Sequence, residues 1–334
     1  MKKNRLLSVF LLALPFAAAA QGDLGELFNG GVADAKYLTE GYVSPMMKSI
    51  GYGLNQGWLT TAKPHKIAGF DLTISVNPVF TPSSDKVFTV DNSRLTSIYL
   101  ATDMDGKSPG INGKGNIPTF LGADDKSTTY ADKVGVSTFQ GPKGIGYGLV
   151  PVPTVNLGFG LPKGFDLKVR FVPTLKFGTE GDTGAGKFGL WGIGVMHDFK
   201  QWIPGIKQLP FDLSVFAGYT NMKFEAAVEE GGPNGKAEFS SSATTFQVII
   251  SKKLSVLTPY AAVGVNMATT KLGVKGTYDF DGTQVKDPFD LSVASNGPRA
   301  TAGLRLKFGP IAFHGDYTLA KYKSASVGLG IVVR

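Results

Sequence analysis

The chain has 334 residues, with 34 Lys and Arg against 26 Asp and Glu, and no Cys. Without Cys there are no disulfides and no thiolate metal sites, and a formal charge of only +8 speaks against nucleic-acid binding. Mean hydropathy is +0.04, and no stretch beyond the N-terminus has the roughly eighteen consecutive apolar residues of a membrane helix, so only strands could carry the chain across a bilayer.

Residues 1–20 read as a secretory signal. Lys2, Lys3 and Arg5 precede an apolar run over 6–16 and four alanines, with cleavage expected before Gln21. Residues 21–59 do not alternate. Ser44-Pro45 predicts an N-cap followed by Pro at the first helical position. Met47, Ile50 and Leu54 then recur at helical spacing, and a shorter turn is expected near Asp34. Two short helices result. Residues 21–60 are read as a plug inside a barrel formed by 61–334, with a periplasmic linker helix as the alternative.

Residues 66–80 predict the first strand. Phe70, Leu72, Ile74 and Val76 share one face, and Asp71, Thr73, Ser75 and Asn77 the other. Residues 86–101 predict its return, and 102–141 is a long stretch rich in Gly, Asp and Lys. A hairpin follows, 144–161 and 165–177, around Pro162-Lys163-Gly164. In its second arm Phe165, Leu167, Val169, Phe171, Pro173, Leu175 and Phe177 lie on one face. Asp166, Lys168, Arg170, Val172, Thr174 and Lys176 lie on the other. At about thirteen residues, greasy on one side and charged on the other, this arm is roughly twice a typical globular strand and has the form of a membrane strand.

Further strands are predicted over 187–197 (Trp191, Ile193 and Val195 outward), 211–220, 237–251 (Gln247 inward), and 259–271. The series ends with 291–308 (Arg305 and Lys307 inward), 311–319 and 324–334. Connections at 162–164, 252–254 and 309–310 are tight, whereas 178–186, 229–236 and 275–290 are longer and polar. Outer-membrane barrels keep short turns in the periplasm and long loops outside. The 198–210 turn is longer than its short-side neighbours, with Trp202 and Ile203 expected at the interface. Consistent direction requires one outward pass hidden within 102–143, and 130–139 is the candidate. The fold class is an all-β antiparallel transmembrane barrel of about twelve strands, within a range of ten to fourteen. A secreted β-sandwich is the alternative.

Gly181-Asp-Thr-Gly-Ala-Gly186-Lys187 nearly spells a phosphate-binding loop, but Phe188 stands where the Mg²⁺-binding hydroxyl belongs and no helix follows. Asp103-Met-Asp105-Gly106 hints at a calcium loop without its later acidic ligands. His314 shares a polar face with Asp316, the pairing a hydrolase would need beside a Ser. No catalytic, metal or cofactor site is expected from these patterns. Asp71, Lys168, Arg170, Lys176, Asp212, Gln247, Arg305 and Lys307 are candidates to line the lumen, and Met47, Ile50 and Leu54 to fill it. Pro151, Pro153 and Pro173 are candidates for a gap in the wall. With Leu161 facing Phe165 across the turn, Pro153 falls opposite Pro173, and proline gives no N–H to a ladder.

The segments Gly51-Tyr-Gly-Leu-Asn-Gln-Gly-Trp58, Gly69-Phe-Asp-Leu-Thr-Ile-Ser75, His197-Asp-Phe-Lys-Gln-Trp-Ile-Pro-Gly205 and Leu209-Pro-Phe-Asp-Leu-Ser-Val215 resemble an uncharacterised family of outer-membrane proteins from Bacteroidetes. That resemblance implies a barrel and transfers no active-site residue. More loosely, a helical N-terminal segment before long strands resembles the long-chain fatty acid transporter family, in which a hatch plugs the barrel. Together these imply a non-enzymatic barrel in the outer membrane of a Gram-negative bacterium. Its expected partners are outer-membrane lipids and a small apolar or amphipathic solute passing by a channel or transporter route. A structural or adhesion barrel and an outer-membrane lipid hydrolase are the alternatives.

Overall fold

The computed structural model describes residues 31–134, 137–177, 185–227, 235–280 and 283–333. The expected signal segment and most of the glycine-rich loop at 181–186 lie outside these residues. In chain order the elements are α1 (Gly31–Leu54), β1 (Phe70–Phe80), β2 (Val87–Asp91), β3 (Ile98–Thr102), β4 (Lys114–Pro118), β5 (Thr129–Asp132), β6 (Thr138–Gln140), β7 (Leu149–Leu161) and β8 (Phe165–Phe177). They continue with β9 (Gly186–Asp198), β10 (Asp212–Ala227), β11 (Lys236–Ser251), β12 (Leu257–Lys275), β13 (Thr277–Phe280), β14 (Thr283–Lys286), β15 (Phe289–Ala294), β16 (Gly297–Phe308), β17 (Ile311–Leu319) and β18 (Lys323–Val333).

Ten of these strands close an antiparallel barrel in the order β11-β10-β9-β8-β7-β1-β18-β17-β16-β12, with β12 returning to β11. β15 extends the line of β16 along the far end of β12, from Thr269 opposite Ala294 to Val274 opposite Phe289. The alternation decides which way each strand faces. Phe70, Leu72, Ile74 and Val76 are exposed while Asp71, Thr73, Ser75 and Asn77 between them are buried. Leu304, Leu306 and Phe308 are likewise exposed beside buried Arg305, and Val327, Leu329, Ile331 and Val333 form the same outward row on β18. A water-soluble protein buries its apolar rows and exposes its charges; here the order is reversed around the whole cylinder. Only hydrocarbon outside the wall makes that arrangement stable, and closure leaves no strand edge in it.

Two stretches predicted as wall strands lie elsewhere. Residues 86–101 split at Asn92–Arg94 into β2 and β3, and 130–139 becomes β5 and β6. β2 pairs with β4, and β5 sits between β3 and β6. The two small sheets form a cap at the long-loop end. Their inward rows, Val90, Ile98, Leu100, Ile117 and Tyr130, cover Ala35 and Leu38 of α1. One-sided burial against a helix produces the same period of two as one-sided exposure to lipid.

The N-terminal region is one helix of 24 residues, about 36 Å long, where two short ones were expected. Pro45 lies inside it. Its missing N–H leaves one helical bond unmade, and the helix passes through the position that Ser44-Pro45 marked as a start. The Ser44 hydroxyl instead donates to the Glu40 carbonyl at 2.5 Å. The first half of α1 is the core of the cap, and the second half descends into the barrel. Asp34 fixes the upper end by accepting from the backbone of Thr96, Ser97 and Ile98. At the barrel mouth Asp85 accepts from Tyr322 at 2.5 Å and Lys48 at 3.5 Å. Burial pushes its carboxyl up, but the Tyr322 and Ser84 hydroxyls with the charges of Lys48 and Lys321 outweigh it and hold the group below its ordinary value.

The lipid-facing row makes a depth-dependent prediction. Leu329→Arg, mid-row on β18, is expected to destabilise the barrel by about 2–4 kcal/mol, and Val333→Arg at the row's end by about 0–1 kcal/mol. Urea unfolding in lipid vesicles measures both, and equal losses would count against a hydrocarbon belt.

Candidate functional site: a plugged lumen beside an open seam

The C-terminal end of α1 stops in mid-lumen, where its last carbonyls have no helical partners. The Asn55 and Gln56 N–H groups turn back to Tyr52 and Gly53, and two arginines meet the carbonyls from Leu54 onward. Arg170 of β8 donates through Nη1 to the Leu54 carbonyl and through Nη2 to the Gln56 carbonyl, each at 2.7 Å, and through Nε to Asn156 Oδ1 at 2.8 Å. Its guanidinium carbon also lies 4.0 Å from the centre of the Trp58 ring. Arg299 of β16 donates to the Asn55 carbonyl at 2.8 Å and to Gln56 Oε1 at 2.7 Å. α1 has no basic residue in its own last turn, so the wall supplies the positive charge that a helix C-terminus favours. The strand order places β8 and β16 on opposite sides of the barrel, so the helix end is held from both walls.

Below the clamp the chain continues down the lumen to β1. Ala62 and Thr61 are tied to Ser251 Oγ at 2.9 and 3.2 Å. His65 closes the base. Its Nδ1 lies 2.7 Å from Asp166 Oδ2 and its Nε2 3.4 Å from Asp71 Oδ1. Lys168 stands 3.6 Å from the same Asp71 oxygen. This cluster joins the plug's exit strap to β1 and β8. The sequence alone pairs His65 with nothing, because its partners are remote along the chain.

Above the clamp the lumen changes character. Met47 and Leu54 are fully buried against Val150, Val152, Val172, Leu190 and Met222, with Ile50 partly buried at the edge of the cluster. Here the inward face of the wall is apolar. Trp58 and Leu59 form a second apolar layer lower down with Phe216, Ile249 and Tyr260. Among the described residues the space left beside Trp58, Arg299, Tyr260 and Asp316 is a cavity of 10 Å³, room for about one water.

The lumen-lining candidates fall into three groups. Asp71, Lys168, Arg170, Gln247 and Arg305 are buried in the lower lumen. Asp212 and Lys307 sit half-buried at the rim, both with partners, and Lys176 is exposed at the long-loop end. His314 and Asp316 both face inward, but Asp316 accepts from Tyr260 Oη at 2.8 Å, and no hydrogen bond links it to His314 among the described residues.

The wall itself has a discontinuity. β7 pairs with β1 over its full useful length, from Phe70 opposite Phe159 to Phe80 opposite Leu149. β8 pairs with β9 as far as Phe177 opposite Gly186, with a break between Val172 and Leu175. Between β7 and β8, however, the ladder runs only from Leu161–Phe165 to Asn156–Arg170. Beyond that point the two strands keep their outer neighbours and lose each other. Continuing the register places Pro153 across from Pro173. Gly160 donates to Gly69 and accepts from Ala68, so even-numbered residues of β7 turn their backbone groups to β1 and odd-numbered ones to β8. Pro153 and Pro173 would therefore form a hydrogen-bonded pair in which both donors are missing, and Pro151 removes a third. The ladder already stops one pair earlier, at Val155 and Phe171, and three absent N–H groups in the stretch beyond keep it from resuming.

This seam lies beside Val76, an exposed member of the lipid-facing row that pairs with Pro153. Immediately behind it are Val150, Val152 and Val172 of the apolar upper lumen. α1 presses directly on it. A Cβ on Gly53 would fall 2.4 Å from Val152 Cγ2, so glycine is what allows the helix backbone to lie against the seam.

Removing the clamp exposes its worth. Arg170→Ala takes the donor from the Gln56 carbonyl and from Asn156 Oδ1 and leaves the Leu54 carbonyl only the Thr220 hydroxyl at 3.3 Å. At about 1–3 kcal/mol for each of the two groups left unpaired, the expected loss is about 2–6 kcal/mol. Arg170→Lys should recover little, since an ammonium cannot fork to both. Lys176→Ala, exposed, should stay within about 0.5 kcal/mol. Chemical unfolding in detergent measures all three.

Several solved structures resemble this fold. The translocator domain of the autotransporter NalP from Neisseria meningitidis matches at TM-score 0.33 and 10% identity, covering 90% of this chain and 98% of that one. Ail, the attachment invasion locus protein of Yersinia pestis, matches at 0.28 and 8%, covering 80% and 98%. The toluene transporter TodX of Pseudomonas putida matches at 0.23 and 8%, covering 79% and 88%. Likeness at this level carries no function from one barrel to another. No curated protein matches the sequence. The family assignment is direct, since residues 1–333 match the Family of unknown function (DUF6588), and the chain belongs to it.

Proposed function

We propose that the protein resides in the outer membrane of a Gram-negative bacterium, is exported through the signal over residues 1–20, and passes small apolar or amphipathic molecules between its upper lumen and the bilayer through the β7–β8 seam. The observation that carries this reading is the ladder's end at Asn156–Arg170, with the apolar lumen directly behind it. Polar head-groups and loop sugars oppose a hydrophobic molecule at the membrane surface. A side exit below that layer lets such a molecule reach hydrocarbon without crossing it. The filled lumen disfavours an axial pore of the porin kind. No bond is made or broken in this reading, so no catalytic residue is assigned.

A second reading is a non-transporting barrel that presents the cap. The continuity of α1 from cap core to lumen favours it, because the helix then serves as a pedestal rather than a gate.

Uptake into proteoliposomes separates the two. Pro153→Val with Pro173→Val restores both donors of the facing pair, and is expected to stabilise the barrel and slow uptake of an apolar fluorescent probe several-fold. Thr61→Cys with Ser251→Cys, whose hydroxyls lie 3.2 Å apart, locks the strap by a disulfide in a chain that has no other Cys. If the proline variant is more stable yet takes up the probe at the wild-type rate, the prolines only shape the wall and the display reading stands.

A further inference from the structure

The short-turn end of the barrel carries a charge pattern that neither reading uses. Lys63 and Lys66 precede β1, Lys163 joins β7 to β8, Lys207 joins β9 to β10, and Lys252 and Lys253 join β11 to β12. All six are exposed. None makes an ion pair among the described residues. The strand order makes these connections neighbours, so the lysines form one arc along the rim. The turn residues contributing carboxylates are few and engaged. Asp198 accepts from the Lys200 backbone, and Asp212 has a partner of its own.

Within this arc the 199–211 turn is a built platform. The Lys200 ammonium donates to the carbonyls of Leu209 and Phe211 and lies 4.9 Å from the centre of the Phe211 ring. Gln201 Nε2 bridges to the Lys163 carbonyl at 3.0 Å and the Asp198 carbonyl at 2.7 Å, joining two adjacent turns. Trp202 Nε1 donates to His197 Nε2 at 2.9 Å. So fixed, the platform leaves Trp202 68% and Leu209 44% exposed at the edge of the lipid-facing belt. An amphipathic ring and an aliphatic side chain at that height, among unpaired ammonium groups, match the boundary between acyl chains and head-groups.

We propose that this arc is a binding surface for anionic phospholipid head-groups of the leaflet facing the short turns. Trp202 and Leu209 enter the acyl boundary while Lys163, Lys207, Lys252 and Lys253 hold the phosphates. The attraction is electrostatic and falls with salt.

The test uses the full chain in nanodiscs of phosphatidylcholine with and without phosphatidylglycerol, followed by lipid capture measured on release into mild detergent by native mass spectrometry. Wild type should retain phosphatidylglycerol over phosphatidylcholine. Replacing Lys163, Lys207, Lys252 and Lys253 with Gln should weaken that preference, by on the order of fivefold per lysine. A control set of three Lys→Gln changes in the cap, at Lys107, Lys126 and Lys143, should leave it intact. The proposal is overturned if wild type shows no preference, if the rim variant keeps it, or if the cap variant loses it equally. Capture of peptidoglycan by wild type, without lipid discrimination, would assign the lysines to the cell wall and also overturn it.

Discussion

The structure depends on how a helix can end inside a membrane barrel. Four terminal carbonyls in a closed lumen cannot turn to bulk water, and each left unpaired costs a substantial part of a domain's net stability. The Asn55 and Gln56 N–H groups turn back to the Tyr52 and Gly53 carbonyls. Arg170 and Arg299 take the carbonyls that follow, at Leu54, Asn55 and Gln56, from opposite walls, with Asn156, Asn266, Thr301 and Thr318 as further partners. Both side chains are buried, Arg170 completely. A buried guanidinium requires partners as much as the carbonyls require donors. Neither the plug nor the inner face of the barrel is therefore satisfied alone, and each supplies what the other lacks.

That mutual requirement divides the lumen into layers. At the clamp and beneath it, charged and polar groups flank the smaller apolar layer around Trp58, ending in the His65–Asp166–Asp71–Lys168 cluster. Above it, the helix meets valine, leucine and methionine. In the apolar layer the wall gives the helix few hydrogen bonds, among them Thr270 to the Met47 carbonyl on the β12 side, and on the β7–β8 side the wall also stops pairing with itself. A proline pair in the polar layer would leave carbonyls beside charged groups and the plug's backbone. In the upper layer, the missing donors face lipid on one side and packed aliphatic side chains on the other.

Much of this was legible in sequence. Period-two rows on β1, β16, β18 and β8 as far as Val172 told outward from inward residues, but an irregularity between Val172 and Leu175 turns Leu175 onto the core and leaves Lys176 exposed instead of lining the lumen. Pro162-Lys163-Gly164 fixed the hairpin register, so that Leu161 does face Phe165. The strand count was harder. Val90, Ile98 and Leu100 alternate as lipid-facing residues do, but they face Ala35 and Leu38, and alternation does not say what lies opposite. Pro45 marked a helix start that the packed helix overrides. Arg170 was legible as inward-facing. Its partners were not, because they are backbone carbonyls of residues 54 and 56, and no side-chain chemistry at those positions announces them. The same holds for His65, whose meaning comes only when β1 and β8 bring two carboxylates to it.

Magnitudes decide between an axial and a lateral way through such a barrel. Withdrawing the helix end breaks four hydrogen bonds from guanidinium groups, to Leu54, Asn55 and twice to Gln56. At about 1.5–3 kcal/mol each this amounts to about 6–12 kcal/mol, as much as the whole stability of many domains. Opening the axis in this way is thus comparable to unfolding. Widening the seam breaks few ladder bonds, since among the described residues no pair is formed above Asn156 and Arg170. It asks only that Val152 and Val172 shift against Gly53 and Met47, contacts worth about 0.1–0.2 kcal/mol per atom pair and partly replaced by lipid or by the apolar guest itself. Because α1 is one element from cap to clamp, the cap can stay seated and both arginines stay engaged while the side chains at the seam rearrange. On the reading proposed above, the lowest-cost opening of this barrel is sideways, at the stretch of the β7–β8 seam where no paired residues hold the two strands together among the described residues.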